Sequence, residues 1–243
     1  MTGRASTRGV WVPILRGIDL TKMHPIRYAR RWPIVGMAYT AMLVGGYIWW
    51  ILQTPSRRAW VLSASSTNLS HLEHVPWRVL PASSIWSGDP IGWWVVATLL
   101  CLGALELVRG PVVTVVTGAM AHIAGTLISE SVLAIRIAAG QVSTSARHLL
   151  DVGPSYVVAS CAAAVIASPR APRALRIGCA VTIVPLYISA FDFTDDGQVA
   201  TVGHAVALAV GALMTRNKWF HSHHLHWPHL GDLVDLRRAV FQR

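Results

Sequence analysis

Two long apolar runs stand next to each other in the sequence and decide the fold class. They are PIGWWVVATLLCLGALELV (residues 90–108) and PVVTVVTGAMAHIAGTLISESVLAI (residues 111–135), and only Arg109 and Gly110 separate them. Each run is long enough to cross the roughly 30 Å hydrocarbon core of a bilayer as an α-helix. The pair therefore predicts a chain that crosses a membrane more than once.

The composition of the whole chain agrees with this prediction. Of its 243 residues, 53% are hydrophobic and only 13% are charged, whereas soluble domains carry about 25% charged residues. Six apolar segments have the length of a membrane span. We therefore predict an all-α fold, a polytopic bundle of six transmembrane helices. The predicted spans are 33–53, 90–108, 111–135, 153–169, 174–192 and 197–215.

The net charge of +10 would indicate nucleic-acid binding in a soluble protein, but the positions of the basic residues favour another explanation. If the N-terminus is cytoplasmic, 16 of the 21 Lys and Arg residues fall on the cytoplasmic side, as the positive-inside rule requires. We predict a multi-pass protein of the plasma membrane with both termini in the cytoplasm and no nucleic-acid partner. The predicted parts are a cytoplasmic N-terminal segment (1–32), the transmembrane domain (33–215) and a His-rich cytoplasmic tail (216–243).

Three smaller features add to this picture. The first outer loop, residues 54–89, mixes Trp, Leu and Val with turn residues, which predicts short amphipathic pieces at the membrane interface. The three cysteines lie inside apolar runs and are interpreted as small core residues. The first apolar run begins only after about 32 residues, so no signal peptide is predicted.

The tail contains a cluster of histidines, and imidazole is a common ligand of zinc, copper and nickel. The cluster has no cysteine and no clear ligand spacing, so we expect a solvated segment and neither a metal site nor a cofactor. Its histidines are His221, His223, His224, His226 and His229.

The fourth span begins in DVGPSYVVAS, residues 151–160. Asp151 is a residue type that caps helices, and Pro154 suits a first turn. Ser155 then lies near the outer end of the span, at a depth of roughly 3–6 Å. Taken alone, the stretch predicts an ordinary helix start.

The sixth span supplies a possible partner for this serine. It also begins outside, and places His204 roughly 10 Å deep. A serine and a histidine that enter from the same face can form a pair in which the imidazole takes the hydroxyl proton. Small residues at spacing four on both spans favour close contact between them. These residues are Ser155, Ala159 and Ala163 on the fourth span, and Gly203, Ala207 and Gly211 on the sixth.

Polar residues also form a stripe on the third span, where His122, Thr126 and Glu130 are each four apart. Such a stripe must face protein or water. It is compatible with a structural role, with the lining of the same cavity, or with a proton or ion path. His122 is expected to lie several ångströms deeper than Ser155. On the second span, Glu106 is expected to pair with Arg109 or with backbone N–H groups.

These features together resemble the rhomboid family of intramembrane serine proteases. GPSY (residues 153–156) is similar to the Gly-x-Ser-Gly of that family, GHAVALAVG (203–211) to its Ala-His-x-x-Gly-x-x-x-Gly, and GALELVRG (103–110) to the end of its second helix. The resemblance covers roughly residues 33–215. It implies that Ser155 is the nucleophile and His204 the general base, and that the substrate is a transmembrane helix cut near the outer membrane face.

The resemblance also suggests candidates for an oxyanion site or a second shell. These candidates are Asp151, Gly153, Tyr156, His122 and Thr126.

Active members carry a His and an Asn where this chain has Pro90 and Trp94. Pro154 lacks the N–H group that precedes the serine, and Tyr156 replaces the last glycine of the motif. The sequence therefore leaves three hypotheses open: a protease, an inactive pseudoprotease that binds partner helices, and a transporter or proton relay built on the polar stripe.

Overall fold

The computed structural model describes residues 32–88, 90–190 and 197–216, and every regular element among them is helical. Contacts divide the chain between Trp32 and Pro33, and all the described helices belong to the second unit. Nine α-helices and one 3₁₀ helix (Thr144–His148) are described. The α-helices are α1 (Ile34–Ile51), α2 (Pro55–Ser65), α3 (Leu69–His74), α4 (Pro76–Ser83), α5 (Ile91–Arg109), α6 (Pro111–Ala138), α7 (Ser155–Ala167), α8 (Arg173–Ala190) and α9 (Gly197–Arg216).

A helix occupies each of the six predicted spans, but not all of them meet the requirements for crossing a bilayer. Among the described residues, four helices are long and apolar enough, namely α1, α5, α6 and α9. Helix α7 has only 13 residues, about 20 Å. Helix α8 is not among these four in the part of the chain that was searched. The structure therefore confirms an all-helical fold with four candidate spans, and the count of six is not confirmed.

The predicted first outer loop contains the short helices α2, α3 and α4. The predicted position of these pieces at the membrane interface stays a prediction. Turn residues start two of them. The hydroxyl of Thr54 accepts the N–H of Arg57 at 3.3 Å, and the side-chain oxygen of Asn68 accepts the N–H of His71 at 3.0 Å. Both are side-chain N-caps.

Two charged side chains, Glu106 and Arg109, link the ends of α1, α5 and α9 by hydrogen bonds. One carboxylate oxygen of Glu106 accepts the N–H groups of Val35 (2.8 Å) and Gly36 (3.1 Å), which are free donors at the start of α1. The guanidinium of Arg109 donates to the carbonyl of Thr215 near the end of α9 at 2.9 Å. The prediction that Glu106 pairs with backbone N–H groups is confirmed, and the alternative of a Glu106–Arg109 pair is not.

Helix α7 lies at the centre of the bundle, against α5, α6, α8 and α9. Its residues 156–165 are all buried. Its backbone packs tightly against α9, because a Cβ atom at Gly211 would overlap with the carbonyl oxygen of Ser160. The small seam predicted on α9 is confirmed, because Gly203, Ala207 and Gly211 all face α7 or its side chains. On α7 the facing residues include Ala159 and Ser160.

The three cysteines lie in one apolar core cluster formed by α5, α7 and α8. Cys101, Cys161 and Cys179 are free thiols and fully buried. Their interpretation as small core residues is confirmed. The His-rich cluster of the tail and the N-terminal segment as far as residue 31 lie outside the described residues.

Candidate functional site

The chain enters α7 through a backbone conformation that favours glycine. Gly153 has φ +140°, a region that other residues avoid. Pro154 follows as the N-cap residue, and α7 begins at Ser155. The prediction that Pro154 lies within the first turn is therefore wrong by one residue. This geometry gives a physical reason for the glycine of the Gly-x-Ser motif.

Asp151 does not cap α7, because no side-chain hydrogen bond caps that helix. Instead it binds the first outer loop. Its carboxylate accepts the hydroxyl of Thr67 at 3.0 Å, and its N–H donates to the hydroxyl of Ser66 at 2.9 Å. Burial raises the pKa of the Asp151 carboxyl, and the hydrogen bond from Thr67 lowers it in part. Asp151 is therefore an anchor between the loop and α7.

Helix α4, at the other end of the loop, is hydrogen-bonded to His122. The ring nitrogen Nε2 of His122 lies 2.8 Å from the carbonyl of Leu80 and 2.9 Å from the hydroxyl of Ser83. Because a carbonyl oxygen only accepts, the proton must lie on Nε2, and this N–H group donates a hydrogen bond to the carbonyl of Leu80. The N–H of Gly153 donates to the carbonyl of Ser83 at 2.8 Å. The N–H of His122 is thus engaged in holding α4 and is not directed at Ser155.

Tyr156 lies between the two histidines of the predicted site. Its ring centroid is 5.1 Å from that of His204, in an edge-on arrangement at 78°, and 6.0 Å from that of His122. The side chain is only 2% exposed. The rings of His122 and Tyr156 are therefore neighbours, and the expected greater depth of His122 relative to Ser155 stays a prediction. The segment that leads into α7 contacts the end of α4, because the N–H of Gly153 donates to the carbonyl of Ser83.

Two glycines make room for the Tyr156 ring. A Cβ atom at Gly203 would overlap with the Tyr156 hydroxyl, and one at Gly125 would lie 3.2 Å from Cδ2 of the ring. No side chain larger than hydrogen fits at Gly203 while Tyr156 keeps this position. The glycine that precedes His204 in GHAVALAVG therefore serves the packing of Tyr156.

Ser155 and His204 are not hydrogen-bonded to each other. Both ring nitrogens of His204 are buried, and neither has a hydrogen-bond partner among the described residues. Consecutive helical residues point about 100° apart, so when Tyr156 faces His204, Ser155 is rotated away from that direction. The proton transfer required of a serine–histidine pair needs a hydrogen bond between them.

The polar stripe of α6 faces the protein interior. Thr126 is fully buried, Glu130 is 1% exposed, and neither Oγ1 of Thr126 nor the carboxylate oxygens of Glu130 have a hydrogen-bond partner in the described part of the chain. Sequence reasoning found the stripe but not its neighbours across the bundle, Asp151 and Tyr156. Within the described ranges, no group of three or more His, Cys, Asp or Glu side chains is arranged to hold a metal ion.

A comparison with protein families gives an independent result. The family model described as "rhomboid-like protein" matches residues 27–216. This range includes all nine described α-helices and every candidate residue discussed above. Neither a curated protein nor a solved structure is significantly similar to the chain. The match covers most of the chain and agrees with its apolar helices, so the chain is a membrane protein that belongs to the family of rhomboid-like proteins.

Proposed function

We propose that this rhomboid-like membrane protein binds a transmembrane helix of a partner protein and does not cleave it. The observation that carries the proposal is the position of the Tyr156 ring, which packs edge-on against His204. A protease of this type needs the imidazole to accept the proton of the serine hydroxyl. Here the His204 ring contacts an aromatic ring, and neither of its nitrogens has a hydrogen-bond partner among the described residues.

The surroundings of Ser155 support the same proposal. Hydrolysis passes through an oxyanion, and removal of one of its donors costs about 10²–10³ in rate in a well-studied protease. Pro154 offers no N–H group, and the N–H of His122 is bonded to Leu80. A site with neither a formed dyad nor these donors is poorly suited to acyl transfer.

The membrane arrangement belongs to the proposal as well. We place the protein in the plasma membrane with both termini in the cytoplasm, because 16 of the 21 basic residues then lie inside. The partner is a membrane protein whose helix reaches the bundle through lipid. The N-terminal segment 1–32 and the His-rich tail 216–243 are proposed as cytoplasmic extensions of the transmembrane domain 33–215.

Proteolysis by Ser155 and His204 is the second candidate, and one observation favours it. Neither ring nitrogen of His204 has a hydrogen-bond partner among the described residues, and Ser155 at the start of α7 is not fully buried. Both groups are therefore available if the Tyr156 side chain moves. Such an enzyme would cut a substrate helix near the outer membrane face.

The two candidates differ in what Ser155→Ala does in cells. We expect a strain that carries Ser155→Ala to show the same set of cross-linked membrane proteins and the same intact partner levels as the wild type, because binding does not use the hydroxyl. Quantitative mass spectrometry of membrane fractions and released fragments measures both. Ser131→Ala is the matched control, since Ser131 is an exposed serine on α6 that bonds only its own helix.

A fragment that ends within or beside a transmembrane segment, and that depends on Ser155 but not on Ser131, would establish the protease instead. If no membrane protein is cross-linked to this protein in the wild-type strain or in the Ser155→Ala strain, the binding proposal fails as well.

A further inference from the structure

Two neighbouring arginines at the start of α2 are each held over a tryptophan ring. The guanidinium carbon of Arg57 lies 4.5 Å from the centre of the Trp60 ring, and that of Arg58 lies 5.5 Å from the centre of the Trp50 ring. Trp50 also donates its indole N–H to the backbone carbonyl of Arg58 at 3.2 Å. These contacts hold both guanidinium groups in defined positions.

The two positive charges have no negative partner within the described residues. Neither guanidinium forms an ion pair or a hydrogen bond there, and Nε of Arg58 is buried without an acceptor. The sequence contains no Asp or Glu from residue 20 to residue 72, and Glu73 is paired with Arg147. The positive charge of the pair is therefore uncompensated in the described part of the chain.

The position of the pair on α2 adds to this excess of positive charge. The helix begins at Pro55, so both arginines lie within its first four residues, and its first turn contains no acidic residue. The N-terminus of a helix carries a partial positive charge and free N–H groups, which disfavours cations and favours anions. An anion at this place would interact with both guanidinium groups and with the helix end.

The donors of the pair suit a phosphate group. A tryptophan ring contacts the flat face of a guanidinium, whereas the N–H groups project from its edge as a fork that matches phosphate oxygens. The hydroxyl of Ser56, an exposed residue, lies on the same turn and provides a further donor. Phosphate is therefore the anion that this set of donors fits best.

The surroundings of the pair favour a phosphate that carries acyl chains. Helix α1 is a candidate membrane span, and Trp50 belongs to its last turn, where tryptophans of such helices meet the lipid head groups. The contact with Trp50 brings the Arg58 guanidinium to the same level. Ile51, Leu52 and Trp60 are exposed apolar side chains near the pair, and such side chains suit contact with acyl chains.

We propose that Arg57 and Arg58 bind the phosphate of an anionic phospholipid in the leaflet that α2 faces. A head group with net negative charge compensates the arginines, whereas a zwitterionic head group brings a cation of its own. The bound lipid holds α2 against the end of α1. The site includes neither Ser155 nor His204, so the proposal is independent of the proposed function.

The test uses the full-length chain, purified in dodecyl maltoside, an uncharged detergent. Thermal unfolding is followed while phosphatidylglycerol, phosphatidylcholine with the same acyl chains, or glycerol 3-phosphate is added. Only phosphatidylglycerol should produce a saturable rise in Tm, of about 3–6 °C at ten times its dissociation constant. The glycerol 3-phosphate samples distinguish a lipid site from a site for a soluble phosphate.

Matched substitutions locate the site. Arg57→Gln and Arg58→Gln should each weaken the apparent affinity for phosphatidylglycerol about fivefold, because each removes one guanidinium at the membrane surface. Arg78→Gln is the control, since Arg78 is an exposed arginine of α4 in the same loop, and it should leave the affinity unchanged. If a variant unfolds too early for this comparison, native mass spectrometry counts the bound lipids without unfolding.

Three results would overturn the proposal. An equal rise, or no rise, with the two lipids would exclude a preference for an anionic head group. A rise with glycerol 3-phosphate that matches the rise with phosphatidylglycerol would indicate a site for a soluble phosphate. An affinity for phosphatidylglycerol that both Arg57→Gln and Arg58→Gln retain would place the lipid elsewhere on the protein.

Discussion

Gly211→Ala should destabilise the protein by about 3 kcal/mol or more, at or above the upper end of the usual cost of overpacking. A Cβ atom at residue 211 would overlap with the carbonyl oxygen of Ser160 and lie 2.8 Å from its carbonyl carbon. The neighbour is backbone, so no side-chain rotation can relieve the overlap, and α7 and α9 must separate. Thermal unfolding in detergent, followed by tryptophan fluorescence, measures the loss.

Gly45→Ala is the control for this prediction. Gly45 also lies inside a helix, but no atom lies within 4 Å of the position that its Cβ would take. Alanine is favoured over glycine in a helix by about 1 kcal/mol, so this variant should be neutral or slightly more stable. An equal Tm for the two variants would mean that α7 and α9 do not pack as described.

Tyr156→Ala should cost about 3–5 kcal/mol, the range for loss of a large buried aromatic side chain. The ring fills the space between Gly125, Gly203 and His204, and alanine would leave a cavity there. Tyr156→Phe keeps the ring, and we expect it to cost about 1 kcal/mol or less, because the hydroxyl has no hydrogen-bond partner in the described part of the chain.

Chemical denaturation of the two variants beside wild type gives these differences. Trp77→Ala serves as the control, because Trp77 is 76% exposed and should tolerate truncation. If Tyr156→Ala is as mild as Trp77→Ala, the Tyr156 ring is not buried between the helices.

The sequence predicted those parts of the fold that depend on hydrophobic length and on local chemistry. The apolar runs predicted all six helix positions because a helix in lipid must satisfy its own backbone, and this leaves a long uncharged segment. The pairing of Glu106 with N–H groups was predictable for a related reason, since a carboxylate at such a depth needs donors. The sequence did not show which N–H groups bind Glu106, and the structure places them at the start of α1.

The contacts of α4 and the side-chain directions on α7 were not predictable in the same way. The apolar runs do not reveal that α4 reaches His122, or that Ser83 binds the N–H of Gly153 just before α7. The presence of Ser155 and His204 on neighbouring helices was correctly anticipated, but their alignment depends on a rotation of 100° between Ser155 and Tyr156. The Tyr156 ring fits only because residue 203 is a glycine, and its position there means that Tyr156, and not Ser155, faces His204.

The residues that depart from the rhomboid motif are thus parts of one arrangement. Tyr156 stands where the motif has glycine, and the space that it needs is provided by Gly125 and Gly203. Pro154 stands where an N–H donor is expected, and it follows Gly153 in a backbone conformation that leads directly into α7. Gly125, Gly153 and Gly203 thus accommodate the two residues that depart from the motif.

The most direct test of the central claim is the reactivity of Ser155 toward a fluorophosphonate probe. The purified wild-type protein and Ser155→Ala are treated side by side, with an active rhomboid protease as the positive control. If Ser155 and His204 form no working pair, the wild type should be labelled no more than Ser155→Ala while the positive control is labelled strongly. Labelling of the wild type that is lost in Ser155→Ala and in His204→Ala would contradict the account and establish a serine hydrolase.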